Sequence, residues 1–134
     1  MAIQLSVSAR NARLDAIETT AGTSAKLRIY SGSAPADCAT AASGTLLVDI
    51  ALPSDWMSAA SSGSKAKLGT WQGTAAATGT AGYFRIVDNA GTTCHVQGTV
   101  TATGGGGDLT LDNVSIASSQ TVTISTFSLK DANA

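Results

Sequence analysis

From residue 25 onward apolar residues fall at alternate positions, and this period of two limits the fold more than any other feature of the chain. Successive side chains of a strand point to opposite faces, so the alternation marks sheet with one buried face. In AKLRIYSG, Leu27 and Ile29 share one face, and Arg28 and Tyr30 the other. After a polar loop over 32–44, TLLVDIAL puts Leu46, Val48, Ile50 and Leu52 on one side. Pro53 ends that run, because proline cannot donate to a strand ladder. KAKLGTWQG reads as a strand carrying Leu68 and Trp71, with Gly69 marking an edge or bulge.

GYFRIVDNAGTTCHVQGTVTAT reads as a hairpin. Phe84 and Ile86 alternate with Tyr83, Arg85 and Val87, and DNAG supplies residues that tolerate the positive φ of a tight turn. Gly98 is the expected bulge in the return strand, and GGGG at 104–107 a flexible tip. DLTLDNVSI and TVTISTFSL complete the pattern. In the last, Val122 and Ile124 differ in parity from Phe127 and Leu129, which predicts a bulge near Ser125–Thr126. With roughly seven or eight short strands and turns between them, the fold class is all-β: an antiparallel β-sandwich or barrel-like domain.

One helix precedes it. SARNARLDAIETTAG, 8–22, has Ser8 as N-cap and Gly22 as stop, but its apolar stripe of Ala9, Ala12, Leu14, Ala16 and Ile17 is thin. A thin stripe suggests docking on another chain. The division is therefore an N-terminal arm and short helix over 1–22 and a β-sandwich domain over 23–134, and removing the arm is expected to leave a folded domain. Charged residues make up only 13% of the chain, net charge is −1, and the eight Lys and Arg form no run. This removes the electrostatic case for nucleic acid. No apolar run reaches the ~18 residues of a membrane span, and the N-terminus lacks the pattern of a signal peptide, so synthesis and folding in the host cytoplasm are expected.

The single histidine, His95, lies beside Cys94. Strand alternation turns the two apart, and no CxxC or HxxxH spacing accompanies them, so neither a thiol nucleophile nor a metal site is expected. Cys38 and Cys94 have two states open to them. A reducing cytoplasm favours thiols, whereas one disulfide would close a loop of roughly 55 residues and tie the 32–44 loop to the hairpin. GGGG lacks the Lys and Ser/Thr of a phosphate loop, and Asp108 and Asp112 do not have the spacing of a calcium loop. Trp56, Trp71, Tyr30 and Tyr83 could line a sugar-binding face, although packing is the commoner use of so few aromatics. SDWMS stands out as a loop whose Trp56 and Met57 would make a subunit contact if exposed. No catalytic residue, cofactor or metal is expected. The candidate interaction residues are Arg10, Arg13, Leu14 and Ile17 on the arm, with Trp56 and Met57.

Four stretches carry a resemblance. ARNARLDAIETTAGTSAKLRIYSGSAPADC, LPSDWM, GTAGYFRIVDNAGTTCHVQGTV and TLDNVSIASSQTVTISTFSL resemble a family of small proteins encoded among the virion genes of tailed bacteriophages and prophages. The resemblance implies a virion structural protein, with a capsid decoration (cement) protein as the first expectation. Its partners would be the major capsid protein and copies of itself as a homotrimer, with no nucleic acid or membrane, and its place the capsid surface. A tail or head–tail component and a carbohydrate-binding adhesion module are the alternatives.

Overall fold

The computed structural model describes residues 3–131, so residues 1–2 of the expected arm and 132–134 of the expected domain lie outside it. The chain is β-rich with one helix, in a curled mixed sheet that forms a half-barrel rather than a closed two-sheet sandwich. The elements are α1 (Val7–Ala21), β1 (Lys26–Ser31), β2 (Leu46–Ala51), β3 (Ser64–Ala66), β4 (Trp71–Thr74), β5 (Gly79–Val87), β6 (Cys94–Ala102), β7 (Leu109–Leu111), β8 (Ser115–Ile116), β9 (Thr121–Ile124) and β10 (Ser128–Lys130). The main sheet has the order β2-β1-β5-β6-β7, and β8 pairs with the start of β5. Two antiparallel ribbons, β4–β9 and β3–β10, complete the wall. A bridge between Val48 and Ala75 joins the first ribbon to β2.

The hairpin forms as its sequence predicts. Asp88 accepts the N–H groups of Thr92 at 2.7 Å and Thr93 at 3.2 Å, and Gly91 takes φ +75°. The bulge is elsewhere than at Gly98, which pairs regularly with Phe84. The register slips between Ile86 and Val87, opposite Val96 and Cys94, leaving His95 as the extra residue. A second slip, opposite Ile29 and Tyr30, leaves Leu47 unpaired in β2 and lets it enter the core out of parity.

The sheet is not wholly antiparallel. β7 runs parallel to β6, with Val100 opposite Leu109 and Ala102 opposite Leu111. Parallel neighbours ordinarily need a crossover of about a dozen residues. Here the glycine run folds the chain back within a short loop, with Gly104 at φ +89° and Gly106 at φ +81°. Thr101 Oγ1 accepts the Gly107 N–H at 2.9 Å, and Asp108 accepts the Thr99 N–H at 2.9 Å. The run expected as a flexible tip is thus a tight return loop between two parallel strands. The parity change near Ser125–Thr126 is also more than a bulge: β9 ends at Ile124 and β10 joins a different ribbon.

The core fills the concave face. Leu27, Ile29, Val48, Ile50, Phe84, Ile86, Val100, Leu109, Ile116 and Ile124 are buried there with Trp56, Trp71 and Phe127. Phe127 bridges the aromatics, 5.5 Å from Trp71 and 5.6 Å from Phe84 between ring centroids.

Candidate functional site

The helix docks on its own chain, contrary to the expectation of an arm reaching elsewhere. Ser6, not Ser8, is the N-cap, its hydroxyl accepting the Ala9 N–H at 3.1 Å. Only Leu14 and Ala21 of α1 are buried apolar residues. Polar side chains do the rest. Asn11 accepts the Gly63 N–H at 2.9 Å, Asp15 the Ala60 N–H at 3.0 Å, and Glu18 the Met57 N–H at 2.8 Å. Spacings of four and three put Asn11, Asp15 and Glu18 on one face, and they satisfy three N–H groups of the 57–63 loop running past them. The end of α1 is fixed too: Trp56 Nε1 donates to the Gly22 carbonyl at 3.0 Å.

Lys65 sits beneath this seam, 2% exposed, with Nζ 2.8 Å from Asp15, 3.0 Å from Glu18 and 2.9 Å from the Ser58 carbonyl. Burial alone would lower its pKa, but hydrogen bonds and charge from Asp15 and Glu18 outweigh that and raise it above the ordinary 10.5. Hydrogen bonds from Lys65 and from the Ala60 N–H hold Asp15 below 3.8. Asp37 is lowered by its hydrogen bonds from Thr40, and Asp88 by the N–H groups of Thr92 and Thr93.

A pH profile follows. The three lowered carboxylates contribute stability that is complete above 3.8 and lost as pH falls through their folded values. Lys65 contributes stability that is complete below 10.5 and lost as pH rises through its folded value. The melting temperature is expected to fall on both flanks, below 3.8 and above 10.5, with Asp15→Asn weakening the acid flank. Thermal unfolding across that range checks this, and a melting temperature unchanged on acidification through 3.8 contradicts it.

A second construction lies on the convex face. Register places Tyr30 opposite Tyr83, Arg85 opposite Gln97 and Val87 opposite Cys94, all on the side away from the core. The loop over 32–45 folds across them. The Tyr83 hydroxyl donates to the Ser43 carbonyl at 2.6 Å and accepts the Ser43 N–H at 3.0 Å. Arg85, 5% exposed, donates to the carbonyls of Thr40 at 2.6 Å and Asp37 at 3.2 Å and to Gln97 Oε1 at 2.9 Å. Gln97 donates to the Pro35 carbonyl at 2.8 Å, and Tyr30 stacks on Tyr83 with centroids 5.0 Å apart. A disulfide between Cys38 and Cys94, Cα atoms 5.3 Å apart, closes the clamp. Cys94 therefore faces the clamped side rather than the core, and His95 beside it is half-buried at the bulge.

The proposed interaction residues separate into two groups. Leu14, Trp56 and Met57 are at most 3% exposed, so they pack their own core and present nothing to a partner. The remaining three stay near the surface. Arg10 donates to the Asp131 carbonyl at 3.1 Å, Arg13 pairs with the Asp131 carboxylate at 3.2 Å with its side chain 63% exposed, and Ile17 is half-buried. Trp71 is also fully buried, its Nε1 donating to the Leu68 carbonyl at 3.1 Å, and Tyr30 and Tyr83 lie under the clamp. None of these rings offers a sugar-stacking face. Asp108 is occupied by Thr99. Among the described residues no three His, Cys, Asp or Glu side chains gather where they could hold a metal, and no helix is long and apolar enough to cross a membrane.

Lys65, Arg85 and the Asn11–Asp15–Glu18 face escape an apolar-pattern reading. The signal for the last was present, as polar residues recurring at helical spacing. No protein-family model, curated protein or solved structure matches the chain.

Proposed function

We propose that this chain is a structural protein of a tailed-phage virion: a capsid decoration protein that binds the major capsid protein lattice as a homo-oligomer, a trimer in the first reading, and stabilises the head. The observation that carries the reading is where the chain's chemistry is used. All six aromatic side chains, Tyr30, Trp56, Trp71, Tyr83, Phe84 and Phe127, are buried. The two buried cations, Lys65 and Arg85, are bound by groups of the same chain. Outside remain small neutral residues such as Ala76, Thr78, Thr80, Thr99, Thr121, Thr123 and Thr126. A surface of that kind packs against a lattice without stripping water from charges. A body clamped on its convex face and braced by a polar helix against the 57–63 loop suits a part that must stay rigid. The resemblance to phage virion proteins supports the same context.

Cementing works by multivalency. Each contact is weak, but attachment to several capsid subunits at once makes the whole persistent. The protein is expected to co-sediment with heads of its own phage that lack it, saturably, and to raise their resistance to heat. Failure to bind such heads while binding isolated tails would move it to the tail or the head–tail junction.

A further inference from the structure

Two arginines stand directly opposite one another on the convex face. Register pairs Arg28 of β1 with Arg85 of β5. Like charges so placed destabilise a sheet unless other groups answer them. Each is answered in part, on the side away from the other. Asp49 lies on β2, across β1 from Arg85, and accepts from Arg28 Nε at 3.2 Å, while the Gly91 carbonyl accepts from Nη1 at 3.3 Å. Arg85 gives its Nε to Gln97 on β6 and its Nη2 to the carbonyls of Asp37 and Thr40. Arg28 Nη2 and Arg85 Nη1 are left without a hydrogen bond among the described residues. The one buried side-chain nitrogen or oxygen there that lacks a partner is Arg10 Nε, so Arg85 Nη1 touches open space although Arg85 is only 5% exposed.

Both arginines line a cavity of about 230 Å³ beneath the clamp. The clamp loop lines it through 38–42, the hairpin turn through Gly91 and Thr92, and Val87 lies beside Arg85 on the same strand face. No Asp or Glu is in that lining. Of the two acids nearby, Asp49 is engaged as above, and the Asp37 carboxylate accepts the Thr40 N–H at 2.8 Å and hydroxyl at 2.9 Å. A space of this volume holds several water-sized groups. Two guanidiniums, each with a spare donor, match the charge and the acceptors of a doubly charged oxyanion. We propose that this cavity is a binding site for a small oxyanion of the phosphate or sulfate type, held between Arg28 and Arg85. An anion there offsets the cross-strand repulsion and ties β1 and β5 to the loop above them, so it stabilises the folded chain by mass action. The site is separate from the decoration reading and needs no capsid, so the free protein tests it.

Inorganic phosphate is titrated into the full chain at constant ionic strength, with chloride making up the difference. Saturable one-to-one binding by calorimetry is expected, with a melting temperature that rises above its value in chloride alone. Arg28→Gln removes the more accessible of the two cations, its side chain 22% exposed, and should weaken binding about tenfold or more, as loss of a charged hydrogen bond does. Ala41→Asp changes an exposed residue of the lining, sets a carboxylate at the rim, and should weaken binding likewise. Lys130→Gln removes a cation of β10 that does not line the cavity and should leave binding unchanged. Near-ultraviolet circular dichroism of the tyrosines and tryptophans reports that each variant keeps its fold. The proposal is overturned if phosphate raises the melting temperature no more than chloride does, or if a folded Arg28→Gln protein binds phosphate as the parent does. It is equally overturned if Lys130→Gln weakens binding as much as Arg28→Gln. Where Arg28→Gln alters the spectrum, Ala41→Asp decides alone, and undiminished binding by that variant overturns the proposal.

Discussion

Replacing Trp56 with alanine is expected to cost about 3–5 kcal/mol of unfolding free energy, the range for truncating a large buried aromatic. The residue is fully buried, its ring tilted against Trp71 with centroids 6.1 Å apart. Its indole N–H holds the Gly22 carbonyl where α1 ends, so the truncation opens a cavity and also releases the helix terminus. Trp56→Phe separates the two effects. It keeps most of the apolar volume and loses the hydrogen bond, for a smaller loss that includes about 1 kcal/mol for that bond. Urea unfolding of the three proteins measures the series. A Trp56→Ala protein within about 1 kcal/mol of the parent would contradict the burial of SDWMS and return it to the surface as a contact loop.

The second large effect belongs to the clamp. Cys38→Ser with Cys94→Ser is expected to lower stability by about 4 kcal/mol, from the chain entropy released when a loop with a sequence separation of 56 is no longer closed. The loop over 32–45 would then be held only by the Tyr83, Arg85 and Gln97 hydrogen bonds and should become the first site of limited proteolysis. Denaturant unfolding reads the first effect, and the masses of early fragments read the second. A double variant with the parent's unfolding midpoint and no cleavage in the loop would show that the hydrogen bonds alone close the clamp.

Removal of residues 1–22, expected from the sequence to leave a folded domain, now carries a different expectation. It would take away Asp15 and Glu18 from the buried Lys65 and three acceptors from the 57–63 loop. An uncompensated buried charge is strongly destabilising. Loss of capsid binding after such a deletion would therefore report unfolding rather than the loss of an arm.

The alternation of apolar residues carried most of the sheet. Leu27, Ile29, Phe84 and Ile86 face the core as their parity requires, and DNAG makes its turn. Register was less legible, because a bulge needs only one extra residue and leaves no compositional mark. Leu47 and His95 are each that residue, and each sits in an ordinary-looking strand. The parallel pairing of β7 was hidden because glycines permit reversals in either sense. The helix misled for a different reason. Its inward face is polar, and a search for apolar stripes assigns such a face to solvent. Asn11, Asp15 and Glu18 find their partners in backbone N–H groups of a loop whose conformation no local pattern announces. SDWMS misled in the opposite direction. A tryptophan that follows Ser and Asp reads as a surface loop, but the loop here turns its two large side chains, Trp56 and Met57, inward.

The claim that this chain is a cement protein is tested most directly by imaging the intact virion at a resolution that traces β-strands and counting copies. A decoration protein would show the clamped half-barrel on the outer surface of the head, repeated over the lattice in numbers comparable to the major capsid protein, with copies in contact with one another. Density for this fold at the tail tip or the head–tail junction, in tens of copies or fewer, would contradict it, as would its absence from the purified virion.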